Sequence, residues 1–156
     1  RAGKLRGLRG APHCLPGALI MPLMEWSDKL SVGVAQFDAE HRRLVGMVND
    51  LFDAVQAGKG KEALGGILEE LIAYTVTHFA HEEEIMQQHG YEEIGPHQEE
   101  HKILTQQVHE IRRKYLAGAS ATLSMEVMNF LKNWLIKHIQ GTDRKYSRFM
   151  NQHGML

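Results

Sequence analysis

From Asp38 to the end of the chain, apolar residues recur at steps of three and four, with no alternating stretch long enough to make a strand, so the pattern predicts an all-α fold. A first helix is expected from Asp38, a natural N-cap, to about Ala57, with Phe37, His41, Leu44, Val48, Leu51 and Val55 on one face. Gly58 and Gly60 end it. A second helix from about Lys61 to His89 carries Leu64, Leu68, Leu71, Thr75, His78, Glu82 and Ile85, and Gly90 follows as its C-terminal stop. The loop Tyr91 to Gly95 leads to Pro96, which suits a first helical position, and a third stripe of His97, His101, Leu104, Val108, Ile111 and Tyr115. After Gly118 and a polar run to Thr122, Ser124 is the expected N-cap of a fourth helix with Val127, Leu131, Trp134 and His138 on one face. Short connections make successive helices antiparallel neighbours. The expected architecture is an up-down-up-down four-helix bundle, with a metal site in its core.

The stripes are interrupted in a consistent way, because each contains histidine or an acid where an apolar residue belongs: His41, then His78 with Glu82, then His97 with His101, then His138. A step of four turns only about 40° around an α-helix, so HxxxE at His78 to Glu82 and HxxxH at His97 to His101 each aim two side chains into one volume. One buried histidine is ordinarily just hydrogen-bonded. Five imidazoles and a carboxylate in one bundle core would all need partners, and metal cations satisfy them together. Asp143 lies five residues after His138, about 140° around a regular helix, and shares that face only if the helix is overwound or carries a π-bulge near Gly141.

The other candidates fall away. His81 points about 60° from His78 and reads as a surface residue or one just outside the ligands. His109 is expected to be buried and hydrogen-bonded, His13, His89 and His153 to be solvated, and Glu83 and Glu84 to form a solvated face.

Length and charge narrow the class of function. The 156 residues suit one domain, and 18 Lys+Arg against 19 Asp+Glu give a net charge of −1, with no basic field for a nucleic acid. No apolar run reaches the roughly 18 residues of a membrane span. The single cysteine, Cys14, excludes an intrachain disulfide or a thiolate metal cluster and fits a cytoplasmic setting. Ten histidines instead direct attention to imidazole ligation. Residues 1–20 carry Lys4, Arg6 and Arg9 ahead of an apolar patch broken by Pro16 and Gly17. They are expected to be a disordered or added extension, with the domain at 21–156 and a natural start near Met21.

Five elements in order, WSDKLSVGVAQFDAEH (Trp26 to His41), HFAHE (His78 to Glu82), HQEEH (His97 to His101) and WLIKHIQGTDRKY (Trp134 to Tyr146, which holds the last two), resemble the hemerythrins, and among them the single-domain bacterial form. The resemblance spans about Trp26 to Phe149. It implies a non-haem di-iron site, ferrous in the deoxy form and bridged by hydroxide or oxide. His97, His101 and His138 would bind one iron and His41 and His78 the other, with Glu82 and Asp143 bridging. With both irons octahedral, that donor set leaves one position open, on the iron with two histidines, where dioxygen would bind reversibly for transport, storage or delivery. The resemblance also places Leu135 and Ile139 at an apolar dioxygen pocket and Trp134 and Tyr146 beside the site. A partner would be an oxygen-consuming protein. The competing readings are an O2 or iron sensor acting through a partner protein and a di-iron enzyme of oxidase or peroxidase type; the leading one is not an enzyme.

Overall fold

The computed structural model describes residues 21–118 and 123–156. The expected extension at 1–20 therefore lies outside the described residues. Helices α1 (Ala35–Gln56), α2 (Gly60–His89), α3 (Ile94–Leu116) and α4 (Leu123–Lys137) follow in order, and α4 runs through a π-helical turn, His138–Asp143, into α5 (Arg144–Gln152). The rod of α4, π-turn and α5 is the fourth member of the bundle. Helix α1 packs on α2 and α4, and α2 on α3, as an up-down-up-down order requires. A cleft of about 360 Å³ separates part of α3 from α4, lined by Leu104, Gln107, Phe130 and Trp134 among others. Among the described residues no helix is long and apolar enough to cross a membrane.

The core is the union of the predicted stripes: Phe37, Leu44, Val48 and Leu51 from α1, Leu64, Leu68 and Leu71 from α2, Leu104 and Val108 from α3, and Val127, Leu131 and Trp134 from α4 are all buried. Val55, Ile111 and Tyr115, at the ends of their stripes, are half-buried, and within α2 one position is displaced. Ile85 is half-buried and Met86, four residues after Glu82, is fully buried in its place. Counting on by four rather than three keeps that long helix's inner face in line. The α2–α3 contact is close enough that a Cβ at Gly65 would lie 2.7 Å from the Tyr115 hydroxyl oxygen.

Three helix starts depart from expectation. Helix α1 begins three residues before Asp38, because that carboxylate folds back to accept from the Val32 amide at 2.7 Å and from the Ser31 hydroxyl. Asp38 is thus a clamp on the segment leading into the bundle rather than an N-cap. Helix α3 starts at Ile94, which leaves Pro96 inside its first turn, where a missing N–H costs nothing. Ser124 is one residue inside α4. The end of α2 is as expected: Gly90 takes a left-handed φ of 71°, and the Tyr91 amide reaches back to the Met86 carbonyl at 2.9 Å in a Schellman closure.

Candidate metal centre

All seven polar residues that the stripes placed inside the bundle, or near its end, are buried there: His41, His78, Glu82, His97, His101, His138 and Asp143, none more than 4% exposed. They come from every member of the bundle. The π-turn is what delivers the seventh, widening the helix by one residue so that the step from His138 to Asp143 returns to the same face. The two side chains meet with His138 Nε2 3.1 Å from Asp143 Oδ1.

The donor atoms form two groups sharing Glu82: one of Glu82, His97, His101, His138 and Asp143, the other of His41, His78 and Glu82, each within 4.8 Å. The carboxylate oxygens divide between them. Glu82 Oε2 faces His101 Nε2 at 3.2 Å and His97 Nε2 at 3.5 Å, whereas Oε1 faces His78 Nε2 at 3.6 Å and His41 Nε2 at 3.7 Å. Asp143 does the same, with Oδ1 toward His138 and His97 and Oδ2 toward His41 Nε2 at 3.3 Å. Donors around one first-row ion sit roughly 3 Å apart when metal–donor bonds are about 2.1 Å. These separations are near that spacing, and each carboxylate offers one oxygen to each group.

The fit of metal ions is tested by what the protein leaves unpaired. Nε2 of His41, His78 and His97, Oε2 of Glu82 and both carboxylate oxygens of Asp143 are buried without a hydrogen-bond partner. Each such atom costs about 1–3 kcal/mol, more when charged, so six of them pointing into one volume call for cations.

Outside the donors lies a second set of carboxylates. Glu40 meets His78 Nδ1 at 2.6 Å, Glu83 meets His101 Nδ1 at 2.8 Å, and Glu100 meets His138 Nδ1 at 3.1 Å. A carboxylate accepting from Nδ1–H fixes the tautomer, turns Nε2 and its lone pair inward, and makes the ring a better donor. Glu83 is therefore not part of a solvated face as expected; it is half-buried and engaged. Glu40 also accepts from His81 Nδ1 at 2.9 Å, and Glu100 from the Thr142 hydroxyl at 2.6 Å. Sequence reasoning missed Glu40 and Glu100, whose only signal is that each directly precedes a ligand-type histidine, His41 and His101, while the ring it holds is on another helix.

Electrostatics follow this arrangement. Burial opposes ionisation of Glu82, but His78 and the facing imidazoles of His101, His41 and His97 outweigh it and hold the carboxyl well below the usual range. Burial likewise disfavours a His41 imidazolium, yet Asp143 and Glu82 push it up to about 9. The hydrogen bond from His138 is the main reason Glu100 falls to about 2. In the metal-free protein, protons thus take the place that cations occupy, and metal uptake releases them.

Aromatic side chains wall the site. Phe79 stacks on His101 at 3.7 Å between ring centroids, and Trp134 lies parallel to His138 at 6.4 Å. Tyr146, fully buried, donates its hydroxyl to Glu82 Oε1. Burial is the first cause, and Glu82 and Asp143 the next, that hold its phenol well above its ordinary value, so it remains a donor. Leu135 and Ile139 are buried on either side of His138 in the chain. His81 has a side chain 42% exposed, in line with its assignment outside the donors. His109 is exposed, contrary to expectation, because it follows Val108 onto the outer face of α3.

A bundle whose core holds two unequal nitrogen-rich donor groups joined by two carboxylates is the architecture of a dinuclear metal protein. Residues 32–149 match the model of the hemerythrin HHE cation binding domain. Bacteriohemerythrin of Stenotrophomonas maltophilia (strain R551-3) is 35% identical over 133 residues, 85% of each chain. That of Methylococcus capsulatus (strain Bath) is 34% identical over 127 residues, 81% of this chain and 95% of its own. A crystal structure of wild-type hemerythrin superposes with a TM-score of 0.73 at 31% identity, covering 81% of this chain and 96% of the other. The chain belongs to the hemerythrin family, and its cofactor is a pair of iron ions.

Proposed function

We propose that this protein binds dioxygen reversibly at its di-iron centre, for transport, storage or delivery to an oxygen-consuming protein, rather than turning over a substrate. The observation that carries this reading is the division of the Glu82 and Asp143 oxygens between a group of three histidines and a group of two. In this reading His97, His101 and His138 would hold one iron and His41 and His78 the other, with Glu82 and Asp143 each offering one oxygen to either group. A bound ferrous pair would supply the electrons for reversible O2 binding, and the group with fewer donors, His41 and His78, leaves room for it.

The chain's own part is to hold and to exclude. Five neutral imidazoles and only two carboxylates put less negative charge on the metals than the four carboxylates of di-iron oxidases, which favours the ferrous state over the high-valent ones needed to attack substrates. Glu40, Glu83 and Glu100 keep protons on Nδ1 of His78, His101 and His138, so that Nε2 is always the donor. Tyr146 steadies the Glu82 bridge through its hydroxyl proton. Leu135 and Ile139 keep water from the reacting side, which slows oxidation of the metals. No side chain is required as a general acid or base. The test is to expose the reduced iron-loaded protein to O2 and then degas it. Uptake of one O2 per chain, recovered on degassing, supports the carrier reading, and continued O2 consumption with excess reductant replaces it with an oxidase.

A further inference from the structure

Two histidines that the core does not use come together where α2 and α5 end, seven residues beyond Glu82 along α2. His89 is the last residue of α2, and His153 follows the last residue of α5. Their ring centroids are 5.7 Å apart with an interplanar angle of 61°. Within the core, His97 and His138 belong to one metal-holding group, and their rings are also 5.7 Å apart, inclined at 51°. The end pair therefore has the same ring separation as two histidines of one core donor group.

Tautomer and field agree with that spacing. His153 Nδ1 donates to the Phe149 carbonyl at 2.8 Å, which fixes the proton on Nδ1 and leaves the lone pair on Nε2. This is the same device, a backbone carbonyl in place of a carboxylate, that orients metal-binding imidazoles. Phe149 packs against the His153 ring at 4.2 Å and holds its plane. Among the described residues neither His153 Nε2 nor either ring nitrogen of His89 has a hydrogen-bond partner. Both residues sit at helix C-termini, where unpaired carbonyls and the negative end of the helix dipole favour a cation.

We infer that His89 and His153 form a second, peripheral metal site for a borderline divalent transition-metal ion, the class that imidazole suits, with water completing the coordination. Such an ion ties the end of α2, the helix of His78 and Glu82, to the end of α5, the helix of Tyr146. It lies at the protein surface and is independent of the iron pair.

Zn2+, which undergoes no redox chemistry, is the probe. Iron-loaded protein is equilibrated with Zn2+, and zinc and iron per chain are measured for the parent, His89→Gln and His153→Gln. Each variant is expected to bind one zinc fewer than the parent and to keep the same iron content. Zinc should also raise the melting temperature of the parent and leave that of both variants nearly unmoved. Equal zinc uptake by the parent and either variant, or an equal thermal shift in all three, overturns the site.

Discussion

Tyr146→Phe removes one oxygen from a side chain that is fully buried and otherwise packs by shape, edge-on to Phe37 at 5.6 Å and against His97 at 5.4 Å between centroids. The ring remains and its contacts persist, so the change isolates the hydroxyl that donates to Glu82. A hydrogen bond to a charged group contributes about 1.5–3 kcal/mol, and the void left by one hydroxyl is too small to refill with a well-bonded water. The expected loss is therefore about 2 kcal/mol in the iron-loaded protein, read as a lower denaturant midpoint at unchanged slope. Compared in the metal-free protein, where metal content cannot differ, the same substitution should cost less in a Glu82→Gln background, because the charged acceptor is gone; the difference is the coupling between the two groups. A Tyr146→Phe variant within about 0.5 kcal/mol of the parent, or the same loss in both backgrounds, would refute the role given to the tyrosine, since surface-like values of that size mark sites without a named contact.

Other consequences concern the metal ions and the protons that replace them. Glu82→Ala removes the residue common to both donor groups and should leave at most one tightly held iron per chain by metal analysis; two retained irons would contradict the bridge. Leu135→Ala should keep both irons, cost about 2–5 kcal/mol of stability as a buried leucine truncation does, and hasten autoxidation followed in the visible spectrum. In the metal-free protein, His41 has a folded value of about 9 against 6.5 unfolded, so its charged form stabilises the fold fully below pH 6.5. That contribution, about 3 kcal/mol at a rate of about 1.4 per pH unit, is lost as pH rises toward 9. Denaturant unfolding at pH 6.5 and 9 should show this loss in the metal-free form and little of it once iron has displaced the proton.

What the chain alone disclosed, and what it did not, follows the range of the interactions. His41, His78, Glu82, His97, His101 and His138 were legible because they violate an apolar stripe, which is a property of a single helix. Even the π-turn was foreshadowed, since His138 and Asp143 cannot share a face at a step of five without it. Glu40, Glu83 and Glu100 were not, because each acts on a histidine of a different helix and looks, on its own helix, like any half-exposed acid. The hydroxyl of Tyr146 is the same case: its burial follows from its aromatic ring, its acceptor only from the fold. The early start of α1 was hidden for a related reason, in that Asp38 has two local uses, cap or clamp, and the segment from Ser31 to Val32 decides between them. His109 was misplaced because it lies next to the stripe residue Val108, and a step of one carries it about 100° away from the core.

Everything proposed for the site rests on an unequal partition of donors between two ions. A crystal of the iron-loaded protein measured at the iron absorption edge tests it directly. Two anomalous peaks per chain are expected, one among His97, His101 and His138 and one beside His41 and His78, with Glu82 and Asp143 each reaching both. A single peak, or two peaks with any of those histidines turned away, would contradict it.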